Sequence, residues 1–240
     1  PSRLHQGPAD LTRRSSVDDF DFVRAREDGL LLPFMSIYIP SSLEGTGKAK
    51  PFADTLIDIV EGIGRRCPSQ FTLVKSVADV GRAAGTGRVL LAMGMENGAP
   101  IEGSLDNLRY FYGRGIRYIT LAHAKWNHLS DAAYDTVRHW NGLSPFGREV
   151  VAEMNRLGMM IDVSHLTDSA FYQILRISRA PVIASHSSCR AFTPGLERNM
   201  DDSMMIALGA HGGVLHINFG AFFLTEEAYR HVVEHDRLYG

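Results

Sequence analysis

Two histidines that each close an apolar run carry the most readable chemistry in this chain. His165 follows Met159-Met160-Ile161-Asp162-Val163-Ser164, and His186 follows Pro181-Val182-Ile183-Ala184-Ser185. Both runs have the length and β-branched content of buried strands, and a helical stretch separates them. Parallel strands that each end in a histidine can assemble a metal site from separate strands, since imidazole is a good zinc ligand and strand ends cluster. One such histidine alone reads as a hydrogen-bonded core residue. Two, joined by a carboxylate in the same position, read as ligands. That carboxylate is Glu96, which follows the apolar run Arg88 to Met95 and precedes Asn97-Gly98. A carboxylate there is costly unless paired or bound to metal. The run Gly115 to Ala122 then ends in His123.

The elements that must position these residues alternate regularly. Residues 30–39 read as a strand, and 51–62 as a helix with Phe52, Leu56, Ile59 and Val60 on its apolar face. A short strand at 71–75, a strand at 89–95, a helix at 105–112 and a strand at 116–121 follow. Ser144 is the expected N-cap of a helix at 145–157, with Pro145 at its first position and Gly158 closing it. Next come a strand at 159–163, a helix at 168–177, a strand at 182–185, a helix at 201–210, a strand at 214–219 and a helix at 226–238. This alternation predicts a parallel sheet with crossover helices. A doubly wound sheet would gather its ligands at one switch point, whereas ligands from consecutive strand ends favour a closed barrel. The expectation is a single domain over residues 1–240, α/β in class, forming a TIM-like (β/α)8 barrel that is incomplete in this chain because its first and last strands are missing.

Composition excludes several function classes. Of 240 residues, 45% are hydrophobic and 22% charged, as in an ordinary globular protein, and the formal net charge of -2 gives no reason to expect nucleic acid. No apolar stretch reaches the roughly 18 residues of a membrane span. The two cysteines, Cys67 and Cys189, form no C-x-x-C pair and leave the compartment open.

From Ala92 to Phe219 the chain resembles the membrane (renal) dipeptidase family of zinc metallopeptidases. The matching pieces are Gly94-Met95-Glu96-Asn97-Gly98, Tyr118 to His123, Asn141-Gly142-Leu143-Ser144-Pro145-Phe146-Gly147, Ile161-Asp162-Val163-Ser164-His165, Pro181 to Ser188, Arg198-Asn199-Met200, and Gly212 to Phe219. Phe34 to Pro40 is also similar to the family's second strand. The resemblance implies two zinc ions in a complete active site and a dipeptide substrate whose peptide bond is attacked by a metal-bridging hydroxide. By position, Glu96 would bridge both metals, and His165 and His186 would ligate the second. His123 would stabilise the developing oxyanion beside the substrate, Arg198 would bind the dipeptide's C-terminal carboxylate, and Asn199 would help shape that pocket. A homodimer is the assembly the resemblance leaves open.

The family holds its first metal with a His-x-Asp pair on strand one, and His5-Gln6-Gly7 does not supply it. Pro1-Ser2-Arg3-Leu4 resembles the segment directly after that pair, so the pair is expected just upstream of Pro1, and a catalytic Asp of strand eight beyond Gly240. The isolated segment is therefore expected to be inactive and to fold poorly.

Competing signals are weaker. His231-Val232-Val233-Glu234-His235 matches H-x-x-E-H, but a further carboxylate ligand downstream has no room, and the segment reads as a solvated helix face. His128, His139, His211 and His216 have no ligand-like setting and read as structural or exposed; for His128, in the loop after the His123 strand, a substrate contact is the lesser alternative. Ser164, Ser185, Ser187 and Ser188 have no G-x-S-x-G elbow and read as partners that hold metal ligands. Asp162, three residues before His165 on one strand, reads as structural. Two rival functions remain: an amidohydrolase-type enzyme on another amide or ester, which the effect of Arg198→Ala on dipeptide KM would distinguish, and a metal-deficient barrel acting as a binding protein, which the sequence upstream of Pro1 would distinguish.

Overall fold

The computed structural model describes residues 10–239, so Pro1 to Leu4 and His5-Gln6-Gly7 lie outside the described residues. The chain forms two compact units. One holds the described residues up to Glu96 together with Pro100–Tyr118, and the other holds Asn97–Ala99 and the described residues from Ile119 onward. Both are built from parallel strands and helices, the α/β class expected. Among the described residues no helix is long and apolar enough to cross a membrane.

In the first unit the central strand is β3 (Val89–Glu96), in which every residue but Glu96 is buried. Burial on both faces is why its sequence is a continuous apolar run rather than an alternation. β1 (Phe34–Tyr38) lies parallel to it with Tyr38 opposite Glu96, and β2 (Phe71–Leu73) pairs with its first half, Phe71 opposite Val89. Helix α2 (Ala49–Arg66) buries Ala53, Leu56, Ile57, Val60 and Ile63. It runs past Gly62 because Ile63 extends the same apolar stripe by one turn. Two short helices were not anticipated: α1 (Phe22–Glu27), capped by Asp21, and α3 (Val77–Ala83), capped by Ser76. Helix α4 (Leu105–Arg114) is capped by Ser104 and ends at Gly115, whose φ of 108° is left-handed. Strand β4 (Ile116–Thr120) follows, and its last two residues belong to the second unit.

The second unit continues in the strand order β4-β5-β6-β7. Helix α5 (Pro145–Leu157) is bounded as expected: the Ser144 hydroxyl accepts the Gly147 N–H and Gly158 adopts φ 71°. Its first turn passes so close to the loop before it that a Cβ on Gly147 would lie 2.0 Å from the Leu129 carbonyl oxygen. After β5 (Met160–Asp162) comes α6 (Asp168–Ile177), then β6 (Ile183–Ser187), α7 (Asp202–Ala210), β7 (Val214–Ile217) and α8 (Glu226–Tyr239). β5 stops sooner than its apolar run suggests. The Asp162 carboxylate accepts the Ser164 N–H at 3.1 Å, turning the chain there, and His165 then sits at φ 70°.

Candidate metal centre

Glu96 ends β3 in the first unit. The Ser36 hydroxyl, diagonal to it on β1, donates to Glu96 Oε2 at 2.9 Å, and burial together with the Glu96 charge pushes the Tyr38 phenol above its ordinary pKa. The polar environment at this strand end is built around one half-buried carboxylate.

His123, His165, His186, Arg198 and Asn199 all belong to the second unit. There the structure brings the three histidines together. His165 Nε2 and His186 Nε2 face each other at 2.8 Å, and the His123 ring centroid lies 4.1 Å from that of His165. The left-handed backbone of His165, uncommon for a residue with a side chain, turns its imidazole towards His186 and is locked by the Ala133 N–H donating to the His165 carbonyl at 2.7 Å. His186 is aimed by a bulge. The β6/β7 register passes from Ala184 opposite Leu215 to Ser187 opposite Ile217, so Ser185 and His186 together face His216 alone. Bulges re-aim side chains in this way beside functional sites. The displaced N–H groups are met by β5 and its turn: Ser185 N–H donates to Asp162 Oδ1 at 2.9 Å, and His186 N–H to Ser164 Oγ at 3.1 Å.

Arg198 is only 2% exposed. Its Nη1 donates to Ser187 Oγ at 2.7 Å and its Nη2 to the His186 carbonyl at 2.5 Å, with the Phe223 ring centroid 5.5 Å from the guanidinium carbon. The cation is thereby tethered to the strand that presents His186. Asn199 holds the surrounding loop: its amide donates to Thr193 Oγ1 and the Phe223 carbonyl at 2.7 and 2.9 Å, and accepts the Ser188 N–H at 3.0 Å. Tyr134 sets its ring edge-on to His165 at 5.9 Å. Burial raises the Tyr134 phenol pKa, while the Arg198 charge pulls it the other way.

Sequence reasoning missed two contributions. Asp162, read simply as structural, is fully buried and accepts from Thr120, Ser164 and Ser185, the last two being the residues just before His165 and His186. The signal was present as a serine immediately before each histidine, Ser164-His165 and Ser185-His186. Tyr134 carried no signal, lying in an irregular loop. Three further histidines are engaged elsewhere: His139 stacks on Trp126 with ring centroids 4.1 Å apart, His128 on Phe146 at 5.9 Å, and His211 caps α7. His231 and Glu234 are exposed on α8, and the side chain of His235 lies outside the described residues.

Chemically, two imidazole nitrogens converging at hydrogen-bond distance, one ring held from behind by a hydroxyl, form a donor set that fits a borderline cation such as zinc. A family model for membrane dipeptidases, peptidase family M19, matches residues 1–235. The chain belongs to the membrane dipeptidase family. An uncharacterized dipeptidase of Schizosaccharomyces pombe is 44% identical over 133 residues, 55% of this chain and 32% of that protein. Among solved structures, a dipeptidase AC of the same metallopeptidase family matches with TM-score 0.86 at 27% identity, over 99% of this chain and 78% of that one. A Rhodobacter sphaeroides metallopeptidase, liganded with a phosphinate mimic of the dipeptide L-Ala-D-Ala, matches with TM-score 0.83 at 27% identity, over 99% of this chain and 80% of that one. The matched segment spans about a third of the length of the curated dipeptidases it matches.

Proposed function

We propose that this protein is a zinc-dependent dipeptidase that hydrolyses the peptide bond of dipeptides, its strands belonging to a TIM-like (β/α)8 barrel. The observation that carries the reading is the His165–His186 pair at 2.8 Å, with the buried Arg198 bonded to the His186 carbonyl beside it. Family membership and the relative holding a mimic of L-Ala-D-Ala support dipeptides as the substrate class.

On this reading His165 and His186 would hold zinc. Bound zinc supplies Lewis acidity, which acidifies water and polarises a carbonyl. Arg198 binds the free carboxylate of the dipeptide. Its planar fork matches a carboxylate, and a cation so deeply buried gains most from an anionic partner. His123, its ring tilted against that of His165, donates a hydrogen bond to the carbonyl oxygen as negative charge develops on it. Asn199 keeps the Arg198 loop in place. Anchoring one carboxylate beside the reacting carbonyl limits the substrate to short peptides.

The test is hydrolysis of L-Ala-D-Ala and L-Ala-L-Ala by the zinc-loaded product of the full gene, before and after chelation, against the same dipeptides with amidated C-termini. Turnover lost on chelation, restored by zinc and absent for the amides is expected. Turnover indifferent to chelation, or equal on amides, overturns the assignment.

A further inference from the structure

We infer that Asp162 and Ser185 are positioning residues that fix the tautomer of His186, so that its Nε2 presents a lone pair to the metal position. The inference rests on the reading of His186 as a metal ligand. Asp162 is fully buried, and every hydrogen bond described at its carboxylate is one it accepts. Two of the donors are backbone N–H groups, those of Ser164 and Ser185, which can only donate. The others are the hydroxyls of Thr120 and of Ser185, the latter at 2.6 Å.

A serine hydroxyl has one hydrogen, and that of Ser185 is committed to Asp162 Oδ2. Its oxygen also lies 2.7 Å from His186 Nδ1. With the hydroxyl hydrogen already used, that contact requires His186 Nδ1–H to donate and Ser185 Oγ to accept. A neutral imidazole protonated at Nδ1 carries its lone pair at Nε2, the atom that faces His165 Nε2. The relay Asp162–Ser185–His186 thus orients the ring and selects the ligating nitrogen, while the β6 bulge brings the Ser185 side chain between the other two.

Replacing Asp162 by asparagine should reverse the relay. The asparagine oxygen can still accept the two backbone N–H groups, but its amide N–H groups would donate to the Ser185 oxygen. The Ser185 hydrogen is then released to donate to His186 Nδ1, which moves the imidazole proton to Nε2. Ser185→Ala removes the acceptor with little change in volume, and Ser185→Thr keeps it.

The test combines ¹⁵N-histidine NMR of the metal-free protein with zinc titration of the wild type, Ser185→Ala, Ser185→Thr and Asp162→Asn, each checked by circular dichroism. Expected are an Nδ1–H tautomer at His186 in the wild type and in Ser185→Thr, and an Nε2–H tautomer in Asp162→Asn. Zinc affinity should fall roughly 10- to 100-fold in Ser185→Ala and stay within about threefold of wild type in Ser185→Thr. Folded Ser185→Ala with wild-type zinc affinity and an unchanged tautomer overturns the inference, and so does a wild-type His186 protonated at Nε2. A wild type that keeps Nδ1–H but takes up no zinc supports the relay and overturns the metal-site reading instead. Should Asp162→Asn not fold, the two serine variants decide the question by themselves.

Discussion

At the scale of single residues, the proposed chemistry depends on groups whose direction is set by partners far along the chain. Arg198 is held by Ser187 and by the His186 carbonyl, so its guanidinium is preorganised before substrate arrives. Hydrogen bonds to charged groups are worth about 1.5–3 kcal/mol each, so Arg198→Ala should raise KM for dipeptides by roughly tenfold or more with kcat largely kept. Arg198→Lys should recover only part, since an ammonium cannot reproduce the fork. Steady-state kinetics on one dipeptide series checks this, and an unchanged KM would argue for the amidohydrolase-type rival. His123→Ala should act differently, lowering kcat by about 10²- to 10³-fold with a small change in KM, because its bond strengthens only as the carbonyl gains charge. An equal loss in kcat for His123→Ala and for a surface histidine such as His139→Ala would sink that role.

At the scale of elements, caps and close approaches decide what can be changed. A methyl on Gly147 would meet backbone, which cannot swing aside, so Gly147→Ala should destabilise the protein by about 1–3 kcal/mol. A lowered urea midpoint with an unchanged slope is the expected readout. Asp21 caps α1, and the Arg24 backbone N–H, followed by that of Ser15 and the Arg24 side chain, holds its pKa down from 3.8 to about 2. A depressed carboxylate stabilises the fold above its unfolded value and loses that contribution as pH falls through the folded one. Wild type and Asp21→Asn should therefore differ in stability at neutral pH and converge as pH falls from about 4 towards 2. The helix at 145–157 was legible to the residue because Ser144, Pro145 and Gly158 are local signals. The helices α1 and α3 were not, because six or seven residues are too few to display a helical period.

At the scale of the whole molecule, a ligand that binds only the folded state must stabilise it. If the strand-end ligands hold zinc, adding the metal at about 100 times its Kd should contribute about 2.7 kcal/mol and raise Tm, and the rise should be lost in His165→Ala and His186→Ala. Thermal unfolding with and without zinc measures this, and an unmoved Tm at saturating zinc would count against the site.

The identity of the strand-end residues was determined by the sequence alone. Glu96, His123, His165 and His186 each follow a short apolar run, a pattern whose length and flanking turn residues read as a buried strand. The α/β class followed from the same local patterns. Only the tertiary structure decided how the three histidines face one another. Asp162 and Ser185 are 23 positions apart, the β6 bulge exists only against β7, and Arg198 is fixed by a strand it follows. A bulge or a left-handed histidine leaves no periodic trace in the sequence, because each arises from hydrogen bonds made across the fold.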